Sequence, residues 1–96
     1  MIWFVCRHPG ATAWAREQGL TWGKTVIHLR AEDVASGDEV YGVLPGHIAA
    51  AVCAKGALYW HLALDLPESL RGCEVSLQDM STHGARFVRL HVQELV

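Results

Sequence analysis

The sequence lacks several features that would point to a secreted, membrane-bound or nucleic-acid-binding protein. It begins MIWFVCRHPG, with neither a basic start nor a long apolar run, so a signal peptide and a membrane span are not expected. The formal net charge is −2 with histidines neutral, so the basic excess that a long nucleic acid requires is missing. The cysteines, Cys6, Cys53 and Cys73, form no CxxC pair and are odd in number. This favours reduced thiols and a cytoplasmic location over a disulfide framework or a zinc site.

Familiar catalytic and metal-binding motifs are also missing. The sequence has no GxSxG, Walker or GxGxxG motif. It has no HxxxH or HxH pair and no Cys/His set with metal-ligand spacing. We therefore expect no bound metal and no cofactor.

What the chain does have is apolar surface and histidine. Its 96 residues fit a single domain over 1–96. Apolar residues make up 51% of the chain and include four tryptophans, which is above the usual share. Part of that surface is expected to be covered by a partner chain, and a homodimer is the commonest assembly. Six histidines in so short a chain are the most unusual feature of the composition.

Apolar strands alternate with helix-forming segments along the chain. Strands are predicted over 2–6, 25–29, 40–44, 57–66 and 87–95, and helices over 11–18, 47–55 and 76–83. Strands that are apolar on both faces and joined by helices predict an α/β fold: a mostly parallel five-stranded sheet with helices on both faces. Strand 87–95 alternates between apolar and polar residues, which is typical of a half-exposed strand at a sheet edge.

The loops that follow strands are the places to look for chemistry, because open α/β sheets bind ligands at the carboxyl ends of their strands. The first such loop consists of Cys6, Arg7, His8, Pro9, Gly10 and Ala11. Arg7 has a planar charged fork suited to phosphate oxygens, and His8 can transfer a proton near neutral pH. Amide groups of the following helical turn favour an anion. Alternatively, Arg7 pairs with a surface carboxylate and His8 caps the loop.

Two further loops repeat parts of this arrangement. Pro45 and Gly46 form a tight turn, and His47 follows in the first helical turn; the alternative is a simple turn with a solvated histidine. Asp65 ends the fourth predicted strand, where it could orient a ribose hydroxyl or cap the following turn. Ser69 is a further candidate polar contact.

The remaining histidines and tryptophans are interpreted mainly as structural. His28 and His61 lie inside predicted apolar strands, which favours hydrogen-bonded core or interface histidines. His83 is predicted at a helix end, and His91 on the polar face of the edge strand. Trp14, in the first helix, is either a core residue or flanks the pocket and stacks on a base.

Three blocks of sequence resemble the CRISPR-associated Csx-sixteen family. They are FVCRHPGATAWAREQGL at 4–20, LPGHIAAAVCAKGALYWHLALDLPESLRG at 44–72 and SLQDMSTHGAR at 76–86. The resemblance covers nearly the whole chain. It implies a small Rossmann-like fold similar to CARF domains, and a ring nuclease that removes cyclic oligoadenylate, cyclic tetra-adenylate in particular, in type III CRISPR defence. In related ring nucleases the ribose 2′-hydroxyl attacks the adjacent phosphate without a metal, which leaves a 2′,3′-cyclic phosphate.

The resemblance also implies roles for individual residues. A homodimer would present two copies of the Arg7-His8 loop to the phosphates of the ring. Arg7 would stabilise negative charge at phosphorus, and His8 would transfer a proton or position the hydroxyl, with His47 as the second choice. Cys6 stands where the family has a threonine, so we expect a weaker phosphate contact there. Two other functions stay open: a protein that binds the messenger without cutting it, and an interaction protein with a vestigial pocket.

Overall fold

The fold is a single sheet with helices packed on it. The computed structural model describes residues 1–6, 8–70 and 75–95. In this part of the chain the strands are β1 (Ile2–Val5), β2 (Lys24–Val26), β3 (Glu39–Gly42), β4 (Leu58–Ala63) and β5 (Arg86–Leu90). The α-helices are α1 (Pro9–Glu17), α2 (Gly46–Ala54) and α3 (Leu77–Thr82), and single 3-10 turns occur at Ala31–Asp33 and Glu68–Leu70. None of these helices has the length and apolar character needed to cross a membrane.

The strand order across the sheet is β2-β1-β3-β4-β5. β1 runs parallel to both β2 and β3, and β3 runs parallel to β4. β5 pairs antiparallel with β4 and forms one edge. The predicted mostly parallel five-stranded sheet is therefore confirmed, as is the edge position of the last strand, and the architecture is that of a small Rossmann-like fold.

The predicted strands over 57–66 and 87–95 are too long at their carboxyl ends. β4 stops at Ala63 and β5 at Leu90, so Asp65 and His91 lie beyond the strands in which they were predicted.

The predicted strand over 25–29 is also wrong at its carboxyl end. β2 stops at Val26, which pairs with Val5, the last residue of β1. Beyond Val5 the chain leaves the sheet, so residues 27–29 have no neighbouring strand to pair with. His28 is consequently exposed outside the strand, and its interpretation as a residue of an apolar strand is corrected.

Helices cover both faces of the sheet, as predicted. Successive residues of β1 point to opposite faces. Trp3 and Val5 belong to a buried cluster on the α2 face. Phe4 is fully buried on the other face, in a cluster with Trp14 of α1 and Met80 of α3. The near-continuous apolar character of β1 thus reflects a strand covered on both sides.

The first turn of α1 lies directly against the chain that leads into α3. A Cβ atom added to Gly10 would lie 2.2 Å from the Val75 carbonyl oxygen. Helix α3 begins at a capping box: Asp79 N donates to Ser76 Oγ and Ser76 N donates to Asp79 Oδ2, both at 3.1 Å. The hydrogen bond from the Ser76 amide lowers the pKa of the Asp79 carboxyl. The predicted helix start at Ser76 is confirmed, and glycine at position 10 lets the two helices meet.

The buried carboxylate of Asp38 holds the turn that precedes β3. Asp38 accepts hydrogen bonds from Ala35 N at 2.9 Å, from Trp3 Nε1 at 3.1 Å and from the Met1 ammonium group at 3.0 Å. These donors, the Ala35 amide foremost, hold the pKa of Asp38 at about 2, against 3.8 for an unperturbed carboxyl. The ionised side chain therefore ties the turn before β3 to β1.

Candidate functional site

A cleft of about 870 Å³ lies where the four parallel strands end. Its walls come from the residues that follow β1, β2 and β3, and from β4 and the segment after it. Ala11 of α1 and Met80 of α3 close one side, and Ile48 of α2 contributes from the other. The volume falls within the range of about 300–1,000 Å³ that is usual for small-molecule sites. The position is the one at which open α/β sheets bind ligands.

The loop after β1 brings three of the predicted site residues to this cleft, namely Ala11 and the two polar residues Cys6 and His8. Cys6 and His8 line it, and both are half-buried. Cys6 Sγ donates to the His8 carbonyl oxygen at 3.3 Å and accepts from the His8 amide at 3.2 Å. The thiol therefore holds the backbone of His8 in place at the start of α1. Arg7, the predicted phosphate ligand, lies outside the described residues.

The amino ends of α1 and α2 differ in what they offer to an anion. The first amide groups of a helix have no intrahelical partner. In α1 the first residue is Pro9, which has no N–H, and Ala11 N donates to the His8 carbonyl. The amide that an anion could meet there is therefore that of Gly10. In α2 the first hydrogen bonds of the helix are donated by Ile48 N and Ala49 N to the Pro45 carbonyl. The amides of Gly46 and His47 precede them and are the ones that an anion could meet.

The other predicted site residues are dispersed. Pro45 lines the cleft, whereas His47 is exposed and lies outside its lining. Asp65 is exposed and accepts a hydrogen bond from Arg86 Nη1 at 3.3 Å. Ser69 is exposed in the second 3-10 turn. Of the predicted site residues that the structure describes, four line the cleft: Cys6, His8, Ala11 and Pro45. Those outside its lining are Pro9, Gly10, Trp14, Gly46, His47, Asp65 and Ser69.

Trp14 lies within the core. Its side chain is 4% exposed, and its ring centroid lies 5.2 Å from that of Phe87. Of the two alternatives for Trp14, a core residue or a ring that stacks on a base beside the pocket, this position corresponds to the core residue.

Two histidines that were interpreted as structural line the cleft instead. His28 follows β2 and His61 lies in β4. His61 Nδ1 lies 2.8 Å from Tyr59 Oη, and that oxygen also accepts the Leu44 amide at 3.1 Å. Burial raises the pKa of Tyr59, so its hydroxyl stays protonated near neutral pH. The available signal was the spacing of Tyr59 and His61, which places both on one face of a strand.

The chemistry of the lining is apolar with a few imidazoles. Ile27 and Val43 stand at the rim with 58% and 57% of their surfaces exposed. Among the described lining residues the polar side chains are Cys6, His8, His28 and His61, and none is a carboxylate. The described residues also contain no cluster of three or more metal-binding side chains. Such a lining suits a ligand that combines flat apolar groups with negative charge.

The sheet, the two helical layers and the position of the cleft define a small Rossmann-like α/β protein. A protein-family model described as "Putative CRISPR-associated protein (Cas_VVA1548)" matches residues 3–93. The match spans nearly the whole chain, so the protein belongs to this CRISPR-associated family. No curated protein and no solved structure matched the chain.

Proposed function

We propose that this protein is a ring nuclease of the Csx-sixteen group, which binds cyclic tetra-adenylate and cleaves it to end type III CRISPR signalling. The observation that carries the proposal is the cleft at the carboxyl ends of the strands, lined by His8, His28 and His61 in a member of a CRISPR-associated family. An intracellular messenger as the substrate implies a cytoplasmic location.

The composition of the cleft agrees with an adenylate ligand. Adenine is flat and mostly apolar, so it can lie against Ile27, Val43 and the leucines of the wall. Phosphate is anionic and can meet imidazoles and helix amides without any overall positive charge on the protein. A cyclic tetra-adenylate ring is two-fold symmetric and has four phosphates, so a homodimer would present two such clefts to it across its axis.

The reaction needs no bound cofactor. The ribose 2′-oxygen attacks the neighbouring phosphorus, the O2′–P bond forms and the P–O5′ bond breaks. The proton of O2′ passes to a base, and the leaving O5′ takes a proton from water. Arg7 is assigned to stabilise charge on the phosphoryl oxygens, while His8 transfers a proton or positions the hydroxyl; His47 is the second candidate. Much of the rate can come from positioning alone.

The experiment incubates the pure protein with cyclic tetra-adenylate in the presence of EDTA and separates the products by chromatography over time. More linear product than enzyme supports the nuclease. Intact messenger that stays bound to the protein supports the alternative, a binding protein that sequesters it. A protein that does not bind the messenger at all overturns both functions.

Variants of the first loop test the residue assignments. Arg7→Ala and His8→Ala should each slow cleavage by at least about tenfold, as expected when a group that stabilises the transition state is lost. His91→Ala is the matched control, because His91 is exposed beyond β5, at the end of the sheet opposite the cleft. Parent rates for both first-loop variants would contradict this site.

A further inference from the structure

The hydroxyl of Tyr59 forms the centre of a small hydrogen-bond network at the edge of the cleft. Tyr59 is 2% exposed. Its Oη lies 3.1 Å from Leu44 N, 3.4 Å from the Gly42 carbonyl oxygen and 2.8 Å from His61 Nδ1. Gly42 pairs with His61 across the parallel strands β3 and β4, so two partners of Tyr59 are held by the sheet, and the third, Leu44, lies two residues beyond the end of β3.

One arrangement of protons satisfies all three contacts of Tyr59. A phenolic hydroxyl donates one hydrogen bond and accepts others. The Leu44 amide can only donate, and the Gly42 carbonyl can only accept, so the hydroxyl proton is directed to Gly42. All three contacts are then satisfied together only if His61 Nδ1 carries a proton and donates it to Tyr59 Oη. In that arrangement the neutral ring of His61 has its lone pair on Nε2, whereas the opposite tautomer, with Tyr59 Oη donating to Nδ1, would carry its proton on Nε2.

Nε2 is also the ring nitrogen that Tyr59 leaves available to a ligand. His61 lines the cleft, and its Nδ1 is engaged by Tyr59. A neutral imidazole with Nδ1 anchored and Nε2 free is the form that accepts a proton from a substrate hydroxyl. His8, by contrast, makes no side-chain hydrogen bond to the end of α1, so its backbone is fixed by Cys6 while its ring is not tied to the helix.

We propose that His61 is the catalytic base of the cleft and that Tyr59 is the residue that positions it, so that of the two roles considered for His8 the one that remains is to position the 2′-hydroxyl; this inference rests on the proposed ring-nuclease function. His61 Nε2 takes the proton from the ribose O2′ as the O2′–P bond forms. The P–O5′ bond then breaks, and O5′ takes a proton from water. The imidazolium that results is held by its Nδ1–H bond to Tyr59 and returns its extra proton to solvent.

The other titratable groups around His61 bear on any pH measurement. Cys6, His8 and His28 line the same cleft, and Tyr59 contacts the ring directly. The pH dependence of the rate therefore has to be compared between the parent protein and variants of single residues. The limb of the pH–rate profile that depends on His61 should be lost in His61→Gln and kept in His8→Ala.

The first test is kinetic. His61→Gln should lower kcat for cyclic tetra-adenylate by about 100-fold or more, which is the usual contribution of a general base, while the Kd for the messenger changes little. Tyr59→Phe keeps the ring and removes the hydroxyl, so it should lower kcat by roughly tenfold, in line with the loss of one or two hydrogen bonds, at an unchanged KM. The control His91→Ala should cut at the parent rate.

The second test reads the tautomer directly in the parent protein without ligand. Nitrogen-15 NMR of the histidine rings should show the proton of His61 on Nδ1, and Tyr59→Phe should shift the proton toward Nε2. This measurement needs neither activity nor a His61 variant that folds. A parent protein with the proton on Nε2 overturns the inference, since that nitrogen could then not accept a proton.

The outcomes separate this inference from the function on which it rests. Cleavage by the parent protein, slowed in His61→Gln but not in His91→Ala, supports both. Cleavage at the parent rate by folded His61→Gln overturns the role of His61 alone and leaves the ring nuclease intact. A parent protein that leaves the messenger uncut overturns the proposed function and, with it, the assignment of His61 as its base.

Discussion

Replacing Gly10 with alanine should destabilise the protein, because the added methyl group would collide with the backbone before α3. The new Cβ would lie 2.2 Å from the Val75 carbonyl oxygen and 2.7 Å and 2.8 Å from the carbonyl carbon and Cα of Ser76. These atoms belong to the main chain, so no side-chain rotation can relieve the contact. Forcing extra volume into a packed site usually costs about 1–3 kcal/mol.

Gly46→Ala is a matched control for this substitution. Gly46 stands in the first turn of α2 as Gly10 does in α1, but a Cβ added there meets nothing within 4 Å. Alanine favours helix over glycine by up to about 1 kcal/mol. Because that gain is common to both positions, the two variants should differ by the cost of the collision, about 1–3 kcal/mol in unfolding free energy, which for a domain of this size is on the order of 10 °C in Tm.

Urea unfolding and thermal melts followed by circular dichroism would measure that difference. We expect Gly10→Ala to melt well below the parent protein, and Gly46→Ala at or slightly above it. Equal stability of the two variants would show that α1 does not meet the Val75–Ser76 backbone as the structure places it.

Three other predictions concern acid stability, helix capping and metal dependence. Because the Asp38 pKa is about 2 when folded and its ordinary value is 3.8, its stabilising contribution is complete above pH 3.8 and is lost as the pH falls toward 2. Asp38→Asn should flatten that part of an acid-unfolding curve, and an unchanged slope would count against the network. Ser76→Ala should lower the unfolding free energy by about 1 kcal/mol, because it removes the helix cap. Ser81→Ala, at an exposed position of the same helix, should change it by less than about 0.5 kcal/mol. Equal effects of the two variants in urea titrations would contradict the capping box. Cleavage should proceed at the same rate with and without EDTA, because the attacking group belongs to the substrate, and a rate that collapses on chelation would refute that chemistry.

Much of the fold could be predicted from local sequence patterns. The apolar run of β1 and the helix-forming stretch that ends near Gly19 are decided by neighbouring residues, so their type and approximate position were correct. The strand order was beyond reach, since it depends on which strands pair. The end of β2 was missed for the same reason: Val26 is its last residue because Val5 is the last residue of β1.

The candidate site was predictable in outline but not in its arrangement. The loop after β1 was found from the general rule about the ends of parallel strands, and Cys6 and His8 do line the cleft. The significance of His61 was missed, although its spacing from Tyr59 was visible. What makes the pair informative is the Leu44 amide, fifteen positions before Tyr59, which parallel pairing of β3 and β4 brings to the hydroxyl.

The two outer strands limit how copies of this protein can associate. β2 offers three residues at one border, and β5 carries the exposed Arg86 and Arg89 at the other. Short and charged borders discourage the addition of a further strand. Two subunits are thus discouraged from fusing into one continuous ten-stranded sheet. The proposed homodimer would then be held through loops and helices, and substitutions on those surfaces would change its contact area without disturbing the β-structure.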